Sequence, residues 1–167
     1  MGKSMKYQFL FIVFLMLLSC GESKMKDPED VGKKTFNLLK KLNHIQIQEY
    51  INEFISLEQI RSLAKNNELI TSEKGRNRLS SLLKDEFEEE IIRNFDYLTE
   101  TGVAHEIIWK NIEFRDYVYE IEENDGLKLY NGKVFINHLG EVYFINVASI
   151  WVGDQFEIVE IRDLYEK

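Results

Sequence analysis

The sequence predicts an α+β domain: N-terminal helices packed on a curved, bulged four-stranded antiparallel sheet, after a cleaved signal peptide. Three observations lead there. Between Pro28 and Leu98 apolar residues recur every three or four positions, the spacing of one helical face. After Trp109 they fall into alternating runs, the spacing of strands. Asn124-Asp125-Gly126, Asn131-Gly132, Leu139-Gly140 and Gly153-Asp154 punctuate those runs as turns. Helices first and strands afterwards is the order of an α+β chain, not of alternating α/β units.

The first element is the segment opened by Lys3 and Lys6, followed by the apolar run Phe9–Leu18 and then Ser19 and Cys20. A charged start, a short apolar core and a small residue describe a secretory signal. As a helix the run spans about 15 Å, whereas crossing a hydrocarbon core takes about 20 residues. The segment therefore suits cleavage better than a permanent span. Gly21–Asp27 is polar and charged, and reads as a tether.

Asp27-Pro28 has the form of a helix start, with Asp27 as N-cap and Pro28 at the first helical position. Val31, Phe36, Leu38, Leu39 and Leu42 give helix 1 its apolar face. Ile45, Ile47, Tyr50, Ile51, Phe54 and Ile55 continue in helical spacing as helix 2. Ser56 with Gln59 forms a capping box for a short helix 3 carrying Leu57, Ile60 and Leu63, and Asn66-Asn67 ends it. Leu79, Leu82, Leu83, Phe87, Ile91, Phe95 and Leu98 predict one long helix 4, with Gly102 as its stop. Its outer face carries Asp85, Glu86, Glu88, Glu89 and Glu90, and Glu89 can pair with Arg93 at i, i+4. No calcium-loop spacing accompanies these acids, so they read as a solvated face.

Strands follow over Ile112–Ile121, Lys133–Asn137, Glu141–Val152 and Gln155–Leu164. In the first, apolar residues are even-numbered at Ile112 and Phe114, then odd at Tyr117, Tyr119 and Ile121. A strand has period two, so this switch requires an extra residue near Arg115-Asp116, a β-bulge. The last strand switches likewise between Ile158 and Val159. Both faces of the later strands are apolar. Val142, Phe144 and Ile150 lie on one side, and Tyr143, Ile145, Val147 and Trp151 on the other. One face meets the helices; the other is expected to meet a second copy or another protein.

Leu17-Leu18-Ser19-Cys20 resembles the lipobox of bacterial lipoproteins. The resemblance implies that the chain is cut between Ser19 and Cys20 and that Cys20 carries lipid, with two or more acyl chains giving a stable anchor. It also implies a palmitate-bearing protein of the cell envelope, facing the periplasm or the exterior. Gly21 is not the aspartate that retains such proteins in the inner membrane, which favours the outer membrane over the cytoplasmic one. Residues 28–165 resemble, in pattern only, the cone-shaped fold of the nuclear transport factor two-like (ketosteroid-isomerase-like) superfamily. The cystatin-like arrangement, a helix cradled by a curved sheet, is the competing likeness.

The organisation expected is thus residues 1–19 as signal peptide, 20–27 as lipidated cysteine and tether, and 28–167 as one domain, helical over 28–101 and a β-meander over 109–165. Removal of residues 1–19 leaves 148 of the 167 residues and, with two lysines gone, a net charge of −10 in place of −8. So acidic a domain is repelled by phosphate backbones, and nucleic acid is not an expected partner. Cys20 is the only cysteine, so with its sulfur lipidated no disulfide forms and a closed cysteine-bearing zinc site is nearly excluded.

His44, His105 and His138 stand apart, with no HExxH, no GxSxG elbow and no phosphate-cradling glycine loop. No catalytic, metal or cofactor residue is assigned, and no cofactor is expected. Three functions remain. The first is a membrane-anchored, non-catalytic binding domain that takes a protein partner or a small ligand in or on the curved sheet. The second is an immunity- or inhibitor-type lipoprotein that neutralises a basic partner. The third is a ketosteroid-isomerase-like enzyme, for which Asp116, His138 and Asn146 are the candidate polar groups.

Overall fold

The computed structural model describes residues 24–167. The expected signal peptide, Cys20 and the first part of the tether lie outside the described residues.

Five helices precede one four-stranded antiparallel meander. They are α1 (Pro28–Leu39), α2 (Ile47–Ile51), α3 (Leu57–Ala64), α4 (Glu73–Ser80) and α5 (Lys84–Ala104). A 3-10 turn at Trp109–Asn111 leads into β1 (Glu113–Asn124), β2 (Leu127–His138), β3 (Glu141–Trp151) and β4 (Phe156–Glu166). The sheet is open, in the order β1-β2-β3-β4.

The expected helix starts are present. The Asp30 carboxylate accepts the Asp27 N–H at 3.3 Å at the head of α1. Ser56 N–H donates to Gln59 Oε1 at 2.8 Å, and Gln59 N–H to Ser56 Oγ at 3.2 Å. Helix 2 is shorter than its spacing suggested, and Phe54 and Ile55 lie beyond its end.

The long helix 4 is a correction. Leu79 lies in the last turn of α4, and Ser81, Leu82 and Leu83 separate that helix from α5. Ser81 Oγ donates to Arg78 O at 2.9 Å, a local bond that competes with helix continuation. The apolar residues do not share one core: Leu79 and Leu82 pack in one and Ile91, Phe95 and Leu98 in the other, Phe87 touches both, and Leu83 is exposed. Gly102 is not a stop either, since α5 runs past it to Ala104. It is glycine because Trp109, 1 % exposed, lies against it. A Cβ there would stand 2.6 Å from Trp109 Cζ2. Arg93 pairs with Glu90, not with Glu89.

Asn131-Gly132 is the other correction. It lies inside β2, opposite Glu120 and Tyr119. The β1–β2 hairpin closes earlier, where Asp125 and Gly126 both take positive φ (50° and 75°) as a two-residue type I′ loop requires. Leu139 and Gly140 repeat that geometry between β2 and β3.

Register shifts confirm both phase switches. Arg115 is the extra residue of β1, between Phe114 and Asp116. In β4 the residues without a β3 partner are Val159 and Asp163. The bulges bend the sheet around α1, which touches all four strands. Val31, Leu38 and Leu39 of α1 fill the concave face against Val134, Ile136, Ile145, Val147, Ile158 and Ile161. A second, smaller core lies on the convex face, where Ile55, Ile60, Leu63 and Ile70 cover Leu129 and Ile150.

Gly102→Ala should destabilise the domain by about 1–3 kcal/mol through overpacking, although alanine favours a helix interior by about 1 kcal/mol. Urea unfolding followed by far-UV circular dichroism measures this. A variant as stable as the parent would show that Trp109 is not packed on α5.

Candidate functional site

The concave face is a packed interior with a polar seam. Tyr117 of β1 lies between two glycines. A Cβ on Gly32 of α1 would meet Tyr117 Cγ at 2.4 Å, and one on Gly132 of β2 would meet its Oη at 2.4 Å. The hydroxyls of Thr35, Tyr50, Tyr117 and Ser149 are buried without a hydrogen-bond partner among the described residues. Burial pushes the Tyr50 phenol well above its ordinary value. Burial does the same to Tyr117, with Tyr119 and the Glu29 carboxylate adding to the shift.

The three polar residues that sequence reasoning offered to an enzyme are not brought together. Asp116 is exposed at the β1 bulge and accepts the Tyr117 N–H at 2.8 Å. His138 is buried, and its Nε2 accepts the Ile108 N–H at 3.1 Å, which ties the chain before β1 to the end of β2. Asn146 donates to Asp163 Oδ2 at 3.3 Å, steadying a bulge residue whose φ is 56°. His105 lies 3.4 Å from Glu166, with its ring edge-on to Tyr143. Among the described residues no group of three or more His, Cys, Asp or Glu is placed to hold a metal ion.

A cleft lies elsewhere, between α1 and the segment joining α2 to α3. This cleft of about 690 Å³ has an apolar floor of Met25, Leu38, Phe54 and Phe156. Lys33 and Lys34 of α1 and Lys41 just past its end form one wall, and Asn52, Gln59 and Gln155 contribute to the other. Lys34 reaches across to Glu53 at 3.2 Å. Glu157, 8 % exposed, accepts from Gln59 Nε2 at 2.7 Å and from Gln155 Nε2 at 2.5 Å. Two neutral amides thus satisfy one buried carboxylate without a cation. The lysine charges lining the cleft are largely balanced, since Lys33 also pairs with Asp30 at 3.7 Å and Lys24 with Asp154. Sequence reasoning missed this cleft because its lining comes from separated segments of the chain.

The second sheet face is only partly bare. On the side of Val142, Phe144 and Ile150, Ile150 is covered by the chain's own α3 and the segment leading to α4. The other end of that face carries a ladder of Phe135, Phe144 and Tyr165, with ring centroids 5.7 and 5.0 Å apart. Lys133 and Lys167 lie over the Phe144 and Phe135 rings at 5.3 and 5.2 Å. Cation–π contact of this kind shields the aromatic faces from water.

No family model matches the chain, and neither the curated proteins nor the solved structures give a match.

The raised phenols set an alkaline limit. In the unfolded chain Tyr50 and Tyr117 ionise near pH 10, whereas the folded state holds both protonated to higher pH. Their contribution is complete below about pH 10 and is lost as pH rises above it. Urea midpoints measured from pH 8 to 11 should fall, and more gently in Tyr50→Phe. Tyr117→Phe removes a hydroxyl without a partner, so stability at neutral pH should hold or rise. Phenolate absorbance from Tyr50 in a chain that stays folded would contradict this.

Proposed function

We propose that the chain is a bacterial lipoprotein whose Cys20 carries the lipid and whose α+β domain is a non-catalytic binding module held at the cell envelope. The observation that carries this reading is the continuity of Lys3, Lys6, Phe9–Leu18, Ser19 and Cys20 with a docked domain start. Met25 is buried in the main core, and its carbonyl accepts the Phe156 N–H at 2.7 Å. Lys24 pairs with Asp154. Only residues 21–23 separate Cys20 from that point, so Lys24 lies within about 14 Å of the lipidated residue.

Two consequences follow. The domain rides close to the bilayer, which raises its effective concentration toward other membrane-bound molecules. Lys24 and Met25 line the cleft, which places it beside the anchored end of the domain. No helix of the described residues is long and apolar enough to cross a membrane, so in this reading attachment rests on the lipid. Gly21 favours the outer membrane where the source has one.

A second reading, an inhibitor of a basic partner, draws support from the charge distribution. Residues 85–123 hold thirteen acids against three basic residues, while 24–41 hold six lysines against three acids. The negative excess thus sits on α5 and β1, where a soluble basic protein could meet it.

Cells grown with labelled palmitate should yield a labelled, membrane-bound product, and Cys20→Ala should lose the label and remain uncleaved. A label that persists in Cys20→Ala, or a native product that keeps its initiator methionine, would overturn the anchor.

A further inference from the structure

The two edges of the sheet are treated differently. Along the first residues of β4 the chain closes its own edge. Ile55 N–H donates to Ile158 O at 2.8 Å, Phe156 N–H donates to Met25 O, and α5 packs along the strand. Along β1 nothing comparable occurs. β1 is the outermost strand, and among the described residues no backbone hydrogen bond beyond its ladder with β2 involves residues 113–124. Past the bulge, Asp116–Asn124 keeps an unbroken register with β2, an open edge about 30 Å long.

That edge has a composition that exposed edges usually avoid. Phe114, Val118, Tyr119 and Ile121 are 40, 46, 38 and 57 % exposed. Val118 is on the convex face and Tyr119 and Ile121 on the concave one, so apolar surface flanks the free backbone on both sides. A long, regular edge that exposes apolar residues is a template for another strand. The hairpin end is also held in place. Thr71 N–H donates to Gly126 O at 3.3 Å, and Lys74 pairs with Asp125 at 3.0 Å, so the edge is offered ready-formed.

The charge on the edge selects its occupant. Asp116, Glu120, Glu122 and Glu123 lie in this run, with no lysine or arginine among them. A second copy adding there would set four acids against four acids, and like charges across strands are unfavourable. A strand bearing lysine or arginine between apolar residues meets complementary charge and covers Val118, Tyr119 and Ile121 at once.

We infer that β1 is a docking edge for an extended basic-apolar segment of another protein, which adds to the sheet as a fifth strand. The inference gives the binding module a partner class. It rests on the interaction reading above but not on the lipid anchor.

The test uses the full chain in mild detergent and three ten-residue probes: alternating Lys-Val, alternating Glu-Val, and alternating Lys-Pro. Proline removes the amides a strand needs while keeping the charge. The Lys-Val peptide should bind, weaken with added salt, and slow amide hydrogen exchange in residues 116–124. The Glu-Val and Lys-Pro peptides should do neither. Reversing Glu120 and Glu122 to lysine, both exposed, should weaken Lys-Val binding about tenfold or more and leave the circular dichroism unchanged.

Equal binding of the Lys-Pro peptide would reduce the effect to bulk charge and overturn the proposal. Protection on α5 or on the Phe135–Tyr165 face instead of β1 would also overturn it. So would protection of β1 in the protein alone that grows with its concentration, which would assign the edge to a second copy. The readout does not involve lipid, so a chain that fails the palmitate experiment can still pass this one.

Discussion

The seating of α1 on the sheet through one tyrosine between two glycines is the contact on which the rest of the molecule depends. Tyr117 can lie flat in the seam only because Gly32 offers no side chain from the helix and Gly132 none from the strand. With the ring in place, Phe36 meets Phe114 edge-on at 5.4 Å, and Val31, Leu38 and Leu39 reach the strands beyond. A larger residue at either glycine would lift α1 and open the concave face. Both glycines act by what they leave out, and neither has the positive φ for which glycine is usually required.

One consequence is that the concave face is a core, not a chamber. A single bent sheet supports two apolar clusters, α1 and α5 against the concave side and α3 with its neighbours against the far end of the convex side. The bulges at Arg115, Val159 and Asp163 make this possible, because each resets which face the following residues present. With the interior filled, what remains for recognition is peripheral: a lysine-walled cleft beside the docked N-terminal segment, an aromatic ladder, and the open edge of β1.

Much of the fold was legible in the residues, for reasons that differ by element. The Asp27-Pro28 and Ser56–Gln59 starts are local chemistry, and local chemistry was sufficient. The bulges were visible because a period-two pattern cannot change phase without one. Leu79–Leu98 misled because helical spacing reports a face and not which core that face joins. Asn131-Gly132 misled because the pair is a strong turn signal, and only the approach of Tyr117, distant in sequence, makes Gly132 a strand residue. The same limit applied to Gly102 and Trp109. The candidate sites were less legible. Asp116, His138 and Asn146 were chosen for their chemistry, yet each is engaged by a backbone or bulge contact that depends on tertiary structure. The cleft and the bare edge are properties of assembly, with lining from separated segments, and no local pattern announces either.

The central contact can be measured by a double-mutant cycle on Gly32 and Tyr117. Gly32→Ala, Tyr117→Ala and the double variant are unfolded in urea and the coupling is taken from the three changes. With the ring present, Gly32→Ala should cost about 1–3 kcal/mol. With the ring removed, the same substitution should cost nothing, or stabilise by up to about 1 kcal/mol through helix propensity. Equal costs in both backgrounds would mean that helix and tyrosine do not meet, and would contradict the account of how this sheet holds α1.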